Sequence, residues 1–466
     1  MSMRILQVAS EAVPFAKTGG LADVVGALSR HLAGVGHHVD LILPRYRALR
    51  TASPGPGAET VEWSAAELGG QRPATLVRGP DLHEARVWFV DQPELFDRSG
   101  LYGKDGADYP DNLERFALLC RAAVAAARHP EFAPDLVHCH DWHTGLVPAW
   151  LEGAVPTVLT VHNLAYQGVF GGLNLLRVGL ETAGQVTTVS PTYAAEVQRV
   201  EGGFGLDHVL RALDPPIRGI LNGLDVDTWN PAADAYLPEP YDADALEGKR
   251  AARRALLEEF ALDVPEEAPV FGLVSRLVGQ KGIGLFDGLR ERIAALAPAG
   301  FVFVGTGAPA YERLIQGLDA LPNVAVRIAF SERLAHLVEG GADFFLMPSA
   351  FEPCGLNQMI SQRYGTIPIV HRTGGLADTV TPVNGQTLAD GTASGIVFEV
   401  FDTAGLAWGI DEALRLFGEA ESFDRLRRSI MRIDHSWERR IDDYLAIYRR
   451  LTKRPAPSAA SPSPKR

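Results

Sequence analysis

A near-repeat carries the strongest chemical suggestion in this chain: K-T-G-G-L-A-D-V-V from Lys17 to Val25, and R-T-G-G-L-A-D-T-V from Arg372 to Val380. Each copy follows a short apolar run and opens a helical period. Adjacent glycines at such a junction let the backbone approach a ligand closely, and the unpaired N–H groups of a helix start favour an anion. One copy alone reads equally well as a strand-to-helix turn; two copies, each behind a basic residue, point to a diphosphate or a sugar. Arg276 and Lys281, in S-R-L-V-G-Q-K-G from Ser275 to Gly282, sit just beyond another strand. Ligands of α/β sheets bind at that edge. A guanidinium fork and an ammonium point charge suit two phosphates and would stabilise charge on a departing diphosphate; otherwise the pair are surface cations.

Glu352 lies in M-P-S-A-F-E-P-C-G-L-N-Q, a tight loop after a strand from Met347 to Gln358. Its carboxylate can bind sugar hydroxyls or stabilise cationic character at an anomeric carbon, or it is an N-cap or a solvated side chain. V-G-T-G at Val304 to Gly307 adds a strand-end turn, with Gly305 and Gly307 placed to lie under a nucleotide. The run H-C-H-D-W-H, His138 to His143, invites a metal, yet no second set of Cys or His at ligand spacing accompanies it. Strand alternation puts His138 and His140 on one face. A polar, sugar-contacting strand end fits better, with Asp141 and His143 reaching the site and His162 and Asn163 of V-H-N emerging at the same rim; a buried structural His is the alternative. Asp225 and Asp227, in L-N-G-L-D-V-D-T-W-N-P, read as a turn-forming pair.

Elements that must position these residues alternate short apolar runs with helical periods, as repeated βα units of parallel sheets do. The spacing predicts strands at Ile5–Ala9, Val39–Leu43, Val87–Val90, Leu136–Cys139, Thr157–Val161, Val186–Val189 and Ile217–Leu221, with a helix at Asn112–Arg128. Asn230–Asp244, rich in Pro and Asp, reads as a hinge. A second series follows at Val270–Ser275, Phe301–Val304, Ala325–Ile328, Phe344–Met347 and Ile367–Val370. Trp437–Leu451 is amphipathic and helical, and the Pro-, Ser- and Ala-rich residues 453–466 read as a disordered tail.

At 466 residues the chain suits two domains. Hydrophobic residues at 46% and charged residues at 22% indicate a globular protein. A net charge of −13 without a basic run before the C-terminus argues against nucleic acid, since phosphate-backbone binding needs clustered Lys and Arg. No targeting or membrane-spanning run is apparent, so a cytoplasmic location is expected. Cys120, Cys139 and Cys354 are too scattered for a disulfide framework and read as reduced thiols.

K-T-G-G-L, H-C-H-D-W-H, T-V-H-N, L-N-G-L-D, R-L-V-G-Q-K-G and E-P-C-G-L followed by T-G-G-L-A-D, in that order between Ile5 and about Leu451, resemble the bacterial glycogen synthases and plant starch synthases. The resemblance implies an α/β chain of two Rossmann-like domains facing a deep cleft, the GT-B fold. It places an acceptor-side domain at 1–235, completed by the helix 437–451, and a nucleotide-sugar domain at 245–436. It implies retaining transfer of glucose from ADP-glucose to the non-reducing 4-hydroxyl of an α-1,4-glucan, without metal or cofactor. Lys17, Arg276 and Lys281 would then hold the diphosphate, with backbone N–H groups from Gly19, Gly20, Gly374 and Gly375 and with Leu376 beside them. Glu352 would contact the glucose; His162, Asp141, Asn163, Asp23, Asn222 and Cys354 would line the sugar and acceptor side. Tyr102, in L-Y-G-K-D-G, is a candidate for stacking on base or sugar. The short Gly/Pro-rich insert Thr51–Pro80 leaves acceptor contacts there unassigned. No second carboxylate faces Glu352 in the motifs, so no covalent enzyme intermediate is expected. Two other readings are a GT-B enzyme using a UDP-sugar with a small acceptor, and a non-catalytic two-lobed sugar binder; the second leaves Arg276, Lys281 and the paired T-G-G-L turns unexplained.

Overall fold

The computed structural model describes residues 2–50, 59–64, 66–68, 72–104 and 106–453. The expected tail, apart from Lys453, lies outside the described residues. The chain forms two compact units: one holds the residues up to Val189, Ala194–Gly223 and the segment from Trp437, and the other holds Ser190–Tyr193 and Leu224–Ser436. Among the described residues no helix is long and apolar enough to cross a membrane.

The first unit is built on nine strands: β1 (Arg4–Val8), β2 (His38–Pro44), β3 (Thr60–Trp63), β4 (Ala74–Arg78), β5 (Arg86–Asp91), β6 (Leu136–His140), β7 (Thr157–Val161), β8 (Gln185–Thr188) and β9 (Arg218–Gly219). They lie in the order β9-β8-β7-β6-β1-β2-β5-β4-β3. All neighbours from β9 to β5 run parallel, while β4 is antiparallel to both β5 and β3. Parallel strands covered on both faces become continuous apolar runs, which is why β6 and β7 are buried throughout. The edge strand β3 and its neighbour β4 fall inside the insert that the sequence leaves unassigned. T-V-E-W is mostly exposed, and so short an edge run lacks a strong apolar signal. The last strand, expected at Ile217–Leu221, is confined to Arg218–Gly219.

The closing segment differs in detail from the expected helix over Trp437–Leu451. A 3-10 turn at Trp437–Arg439 precedes a helix at Ile441–Thr452. Trp437, Tyr444, Leu445, Tyr448 and Leu451 pack with Ile5, Leu28, Val39 and Leu136 of this unit. Gly223 makes that close: a Cβ there would stand 2.6 Å from the Trp437 Cα.

The second unit has six parallel strands: β10 (Val270–Leu277), β11 (Gly300–Gly307), β12 (Val324–Ile328), β13 (Phe344–Met347), β14 (Ile367–His371) and β15 (Ile396–Phe398). Their order is β12-β11-β10-β13-β14-β15, a doubly wound Rossmann-like sheet. Alternate residues serve opposite faces: Phe271, Phe301, Phe303, Phe344, Ile369 and Phe398 enter one core, and Val270, Val302, Val304, Phe345, Val370 and Val397 the other. Strand β15, only three residues long, carries no sequence prediction.

The unit changes at Gly223–Leu224, upstream of the hinge expected at Asn230–Asp244. That stretch belongs to the body of the second unit. Asp234 bonds the His336 ring at 2.7 Å and the Tyr364 hydroxyl at 2.6 Å, and Tyr241 donates to the Tyr364 carbonyl at 2.9 Å. Pro and Asp here mark turns, not a free connector.

Trp437 is 1% exposed. Trp437→Ala should therefore destabilise the protein by about 3–5 kcal/mol, the usual cost of emptying a buried aromatic site. Urea denaturation of the variant beside the wild type reads this directly.

Candidate active site

Both sheets gather polar residues where the strand order reverses, at the carboxyl ends of their central strands. In the second unit that point lies between β10 and β13. Their pairing stops at Gly272–Phe345 although β10 continues to Leu277, so the strand ends diverge. Gly282, with φ +70, would bring a Cβ within 1.7 Å of the Pro348 carbonyl oxygen. Only glycine lets the loop after β10 lie against the loop after β13. The Ala350 N–H donates to the Gln280 carbonyl at 2.8 Å and completes the junction.

Lys281 and Glu352 meet there. The Lys281 ammonium pairs with Glu352 Oε2, and the Ser349 hydroxyl donates to the same oxygen at 3.0 Å. Glu352 is 6% exposed. A carboxylate this buried must be paired and hydrogen-bonded, and Lys281 and Ser349 meet that need. Arg276 is exposed, with no carboxylate partner among the described residues, so its fork is open to an anion.

The second T-G-G-L turn serves the same loop. Gly374 has φ +42, a Cβ there would lie 2.0 Å from the Glu352 carbonyl oxygen, and the Gly375 N–H donates to that oxygen at 3.0 Å. Gly375 thus braces the Glu352 backbone, a different use from the ligand contact expected of it. Leu376 is a core residue. Arg372, the basic residue ahead of this copy, pairs with Glu399 at the surface, so it does not parallel Lys17. Cys354 is buried, and its carbonyl oxygen, 2.2 Å from a Cβ placed on Gly375, shapes this turn.

Gly305 and Gly307 are explained by packing: a Cβ on either would stand 2.1 or 2.2 Å from the carbonyl oxygens of Ser275 and Leu277 on β10. The Gly307 N–H is taken by Glu312 at 2.9 Å, so that amide is not offered to a nucleotide. Phe330, which belongs to none of the motifs, follows β12 and is 78% exposed, while the Ala329 N–H before it donates to the Gly305 carbonyl at 3.0 Å. A lone Phe ahead of a helix N-cap has no motif; only its exposure at the strand edge marks it.

In the first unit the reversal lies between β1 and β6. Asp141 follows β6 with φ 56 and accepts the His162 N–H at 2.7 Å. Burial pushes the Asp141 carboxyl up to about 7, against the pull of the His162 and Asn163 amides. The three imidazoles behind it are engaged: His138 with Tyr448 and Thr160, both at 2.7 Å, and His140 with Gln7 at 2.8 Å and His162 at 3.0 Å. Burial pushes His138 and His162 down to about 3, and holds His140 and His143 well below the usual histidine range. These rings are neutral near pH 7, so His162 is a hydrogen-bonding group and a weak base. Among the described residues no group of three or more His, Cys, Asp or Glu is placed to hold a metal ion.

Tyr102 is not an open stacking platform. Its ring stacks on His143 with centroids 4.8 Å apart, and its hydroxyl bonds Glu11 and Ser10. Lys17 is ion-paired with Asp23 at 2.7 Å in the first turn of the helix Gly20–Gly34. The Thr18 N–H and hydroxyl, beside Gly19, donate to Glu11. His143 Nδ1 and Asn222 Oδ1 are buried without a partner among the described residues. Such atoms are costly unless something hydrogen-bonds them, and a hydroxylated ligand would. Asp225 accepts from the Asp227 and Thr228 amides, as a turn residue does.

A family model described as the starch synthase catalytic domain matches residues 4–212, and one described as glycosyl transferases group 1 matches 257–427. Glycogen synthase 1 of Methylococcus capsulatus is 41% identical over 483 residues, covering 96% of both chains. A glycogen synthase of Myxococcus xanthus is 43% identical over 491 residues, covering 96% of this chain and 99% of its own. Among solved structures, the catalytic domain of starch synthase IV from Arabidopsis thaliana, bound to ADP and acarbose, superposes with a TM-score of 0.88 at 30% identity over 97% of this chain and all of its own. Sucrose-phosphate synthase from Thermosynechococcus elongatus, at 20% identity and a TM-score of 0.62, shares the fold.

Asp141 yields a signed prediction. Between the ordinary aspartate value and about 7 the folded protein keeps this proton and the unfolded chain does not, so this group's contribution to stability falls as pH rises through that window. Asp141→Asn should remove that slope: denaturation midpoints of variant minus wild type should climb from about pH 4 to about pH 7 and level off above.

Proposed function

The chain belongs to the glycogen and starch synthase family of two-domain GT-B glycosyltransferases, and from that premise we propose how its residues carry the reaction. The enzyme transfers glucosyl from ADP-glucose to the non-reducing 4-hydroxyl of an α-1,4-glucan with retention, releasing ADP. The observation that carries the assignment of roles is the Lys281–Glu352–Ser349 cluster at the strand reversal of the second unit.

As the bond from glucose C1 to the diphosphate oxygen breaks, negative charge gathers on the phosphate and positive character on the sugar. Arg276 and Lys281 hold the diphosphate and stabilise that charge, and the family's K-T-G-G motif assigns Lys17 to the diphosphate as well. Glu352 stabilises the sugar electrostatically. Its Oε2 is already engaged by Lys281 and Ser349, which suits a fixed charge better than a nucleophile. The departing phosphate oxygen takes the proton of the acceptor hydroxyl as the new C–O bond forms on the face the phosphate leaves. Phe330 offers an aromatic face to the base. On the acceptor side, Asp141, His162, Asn163, Asn222 and Asp23 are hydrogen-bonding groups for sugar hydroxyls, and the unpartnered Asn222 Oδ1 accepts one.

Transfer of labelled glucose from ADP-glucose into glycogen tests the activity, with UDP-glucose as the competing donor; incorporation only from UDP-glucose, or only into a small acceptor, would refute the assignment. Lys281→Ala should lower kcat by about 30- to 1,000-fold, the loss of roughly 2–4 kcal/mol seen when a charge-stabilising group is removed. Glu352→Gln should reduce kcat strongly while ADP affinity, measured by calorimetry, changes little.

A further inference from the structure

The K-T-G-G turn of the first unit is folded around a buried carboxylate that the proposed reaction leaves unused. Glu11, three residues beyond β1, is 2% exposed. Its Oε2 accepts the Thr18 N–H, and its Oε1 accepts the Thr18 hydroxyl at 2.7 Å and the Tyr102 hydroxyl. Tyr102 is tied to Ser10 at 2.8 Å and stacked on His143. One side chain thus joins the turn that carries Lys17 to the end of the central strand and to the loop after β6. Burial raises the pKa of Glu11, against the pull of these donors, so an ionised brace is held at some cost. The second T-G-G-L turn has a counterpart brace, made by the Glu352 carbonyl oxygen accepting the Gly375 N–H. In both copies an internal acceptor takes a turn amide, Thr18 in the first and Gly375 in the second.

We infer that Glu11 is a positioning residue for the reaction: its carboxylate fixes the Lys17–Gly20 turn and so sets where the Lys17 ammonium, paired with Asp23 at 2.7 Å here, meets the diphosphate of the nucleotide sugar. This rests on Lys17 being a phosphate ligand. A buried acceptor that only stabilised the fold would lower the melting temperature without acting through Lys17.

The full-length protein carrying Glu11→Gln, Lys17→Ala, or both separates these cases, through KM for ADP-glucose, kcat at saturating glycogen, KM for glycogen, and Tm. Glu11→Gln should raise the ADP-glucose KM about tenfold or more, the loss expected for hydrogen bonds to a charged group, with the glycogen KM unchanged. The double variant should be no worse than Lys17→Ala alone, because the two act as one unit. A Glu11→Gln enzyme within about twofold of the wild-type ADP-glucose KM, or effects that multiply in the double variant, would overturn the inference. A normal ADP-glucose KM in Lys17→Ala would overturn the phosphate assignment and the inference with it, a pattern distinct from the first. If Glu11→Gln does not fold, Thr18→Val removes one donor to Glu11 and keeps the carboxylate; it should raise the ADP-glucose KM about threefold, and an unchanged value decides against the role.

Discussion

Buried carboxylates at the ends of central strands set the terms for both units. Water solvates an exposed carboxylate at no structural expense, but a buried one must find donors or a counter-ion within the fold. Glu352 finds Lys281 and Ser349, Glu11 finds Thr18 and Tyr102, and Asp141 finds the His162 and Asn163 amides. Each of those partners is a loop residue that the sheet alone would leave free. The loops around the chemistry are therefore ordered from within by charge that has nowhere else to go.

Glycine is the other half of this arrangement, at two positions. Gly282 and Gly374 both have positive φ, and at both a side chain would strike a backbone oxygen of the loop after β13. Their absence of side chains brings three loops of the second unit together around Glu352. Pre-organised charge of this kind acts on a transition state without reorganising when the charge develops, which is where most of an enzyme's electrostatic advantage lies. The first unit works differently around the end of β6. Its histidines are neutral through burial and linked to one another and to Gln7, Thr160 and Tyr448, so they hold the strand end of β6 in shape and leave Asp141 as the titratable group nearest neutrality.

Much of the plan was legible in the residues. Apolar runs of five or so between helical periods gave α/β units because a parallel sheet buried on both faces needs continuous apolar strands, and the inner strands were found that way. Lys281, Arg276 and Glu352 were recognisable because each sits in a dense motif just beyond a strand, and Asp141 with His162 for the same reason. The near-repeat pointed to two turns of one type. It did not reveal that Arg372 is spent on Glu399, or that the basic residues of the two copies differ in kind.

What escaped the sequence was settled by pairings over long separations. Glu11 meets Tyr102, His138 meets Tyr448, and the Asn230–Asp244 stretch meets His336 and Tyr364. Local pattern reports which face of an element is apolar, because that depends on neighbours three or four residues away. Which donor satisfies a buried carboxylate depends on which loops the strand order brings side by side, and no local period records it. By itself the sequence thus determined the family, the inner strands of both sheets and which cationic and acidic residues are candidates for the site. Only the tertiary structure decided which glycine amides are already occupied, which aromatic ring is exposed, and which carboxylate holds the Lys17 turn, since each is a property of chain segments that meet only on folding.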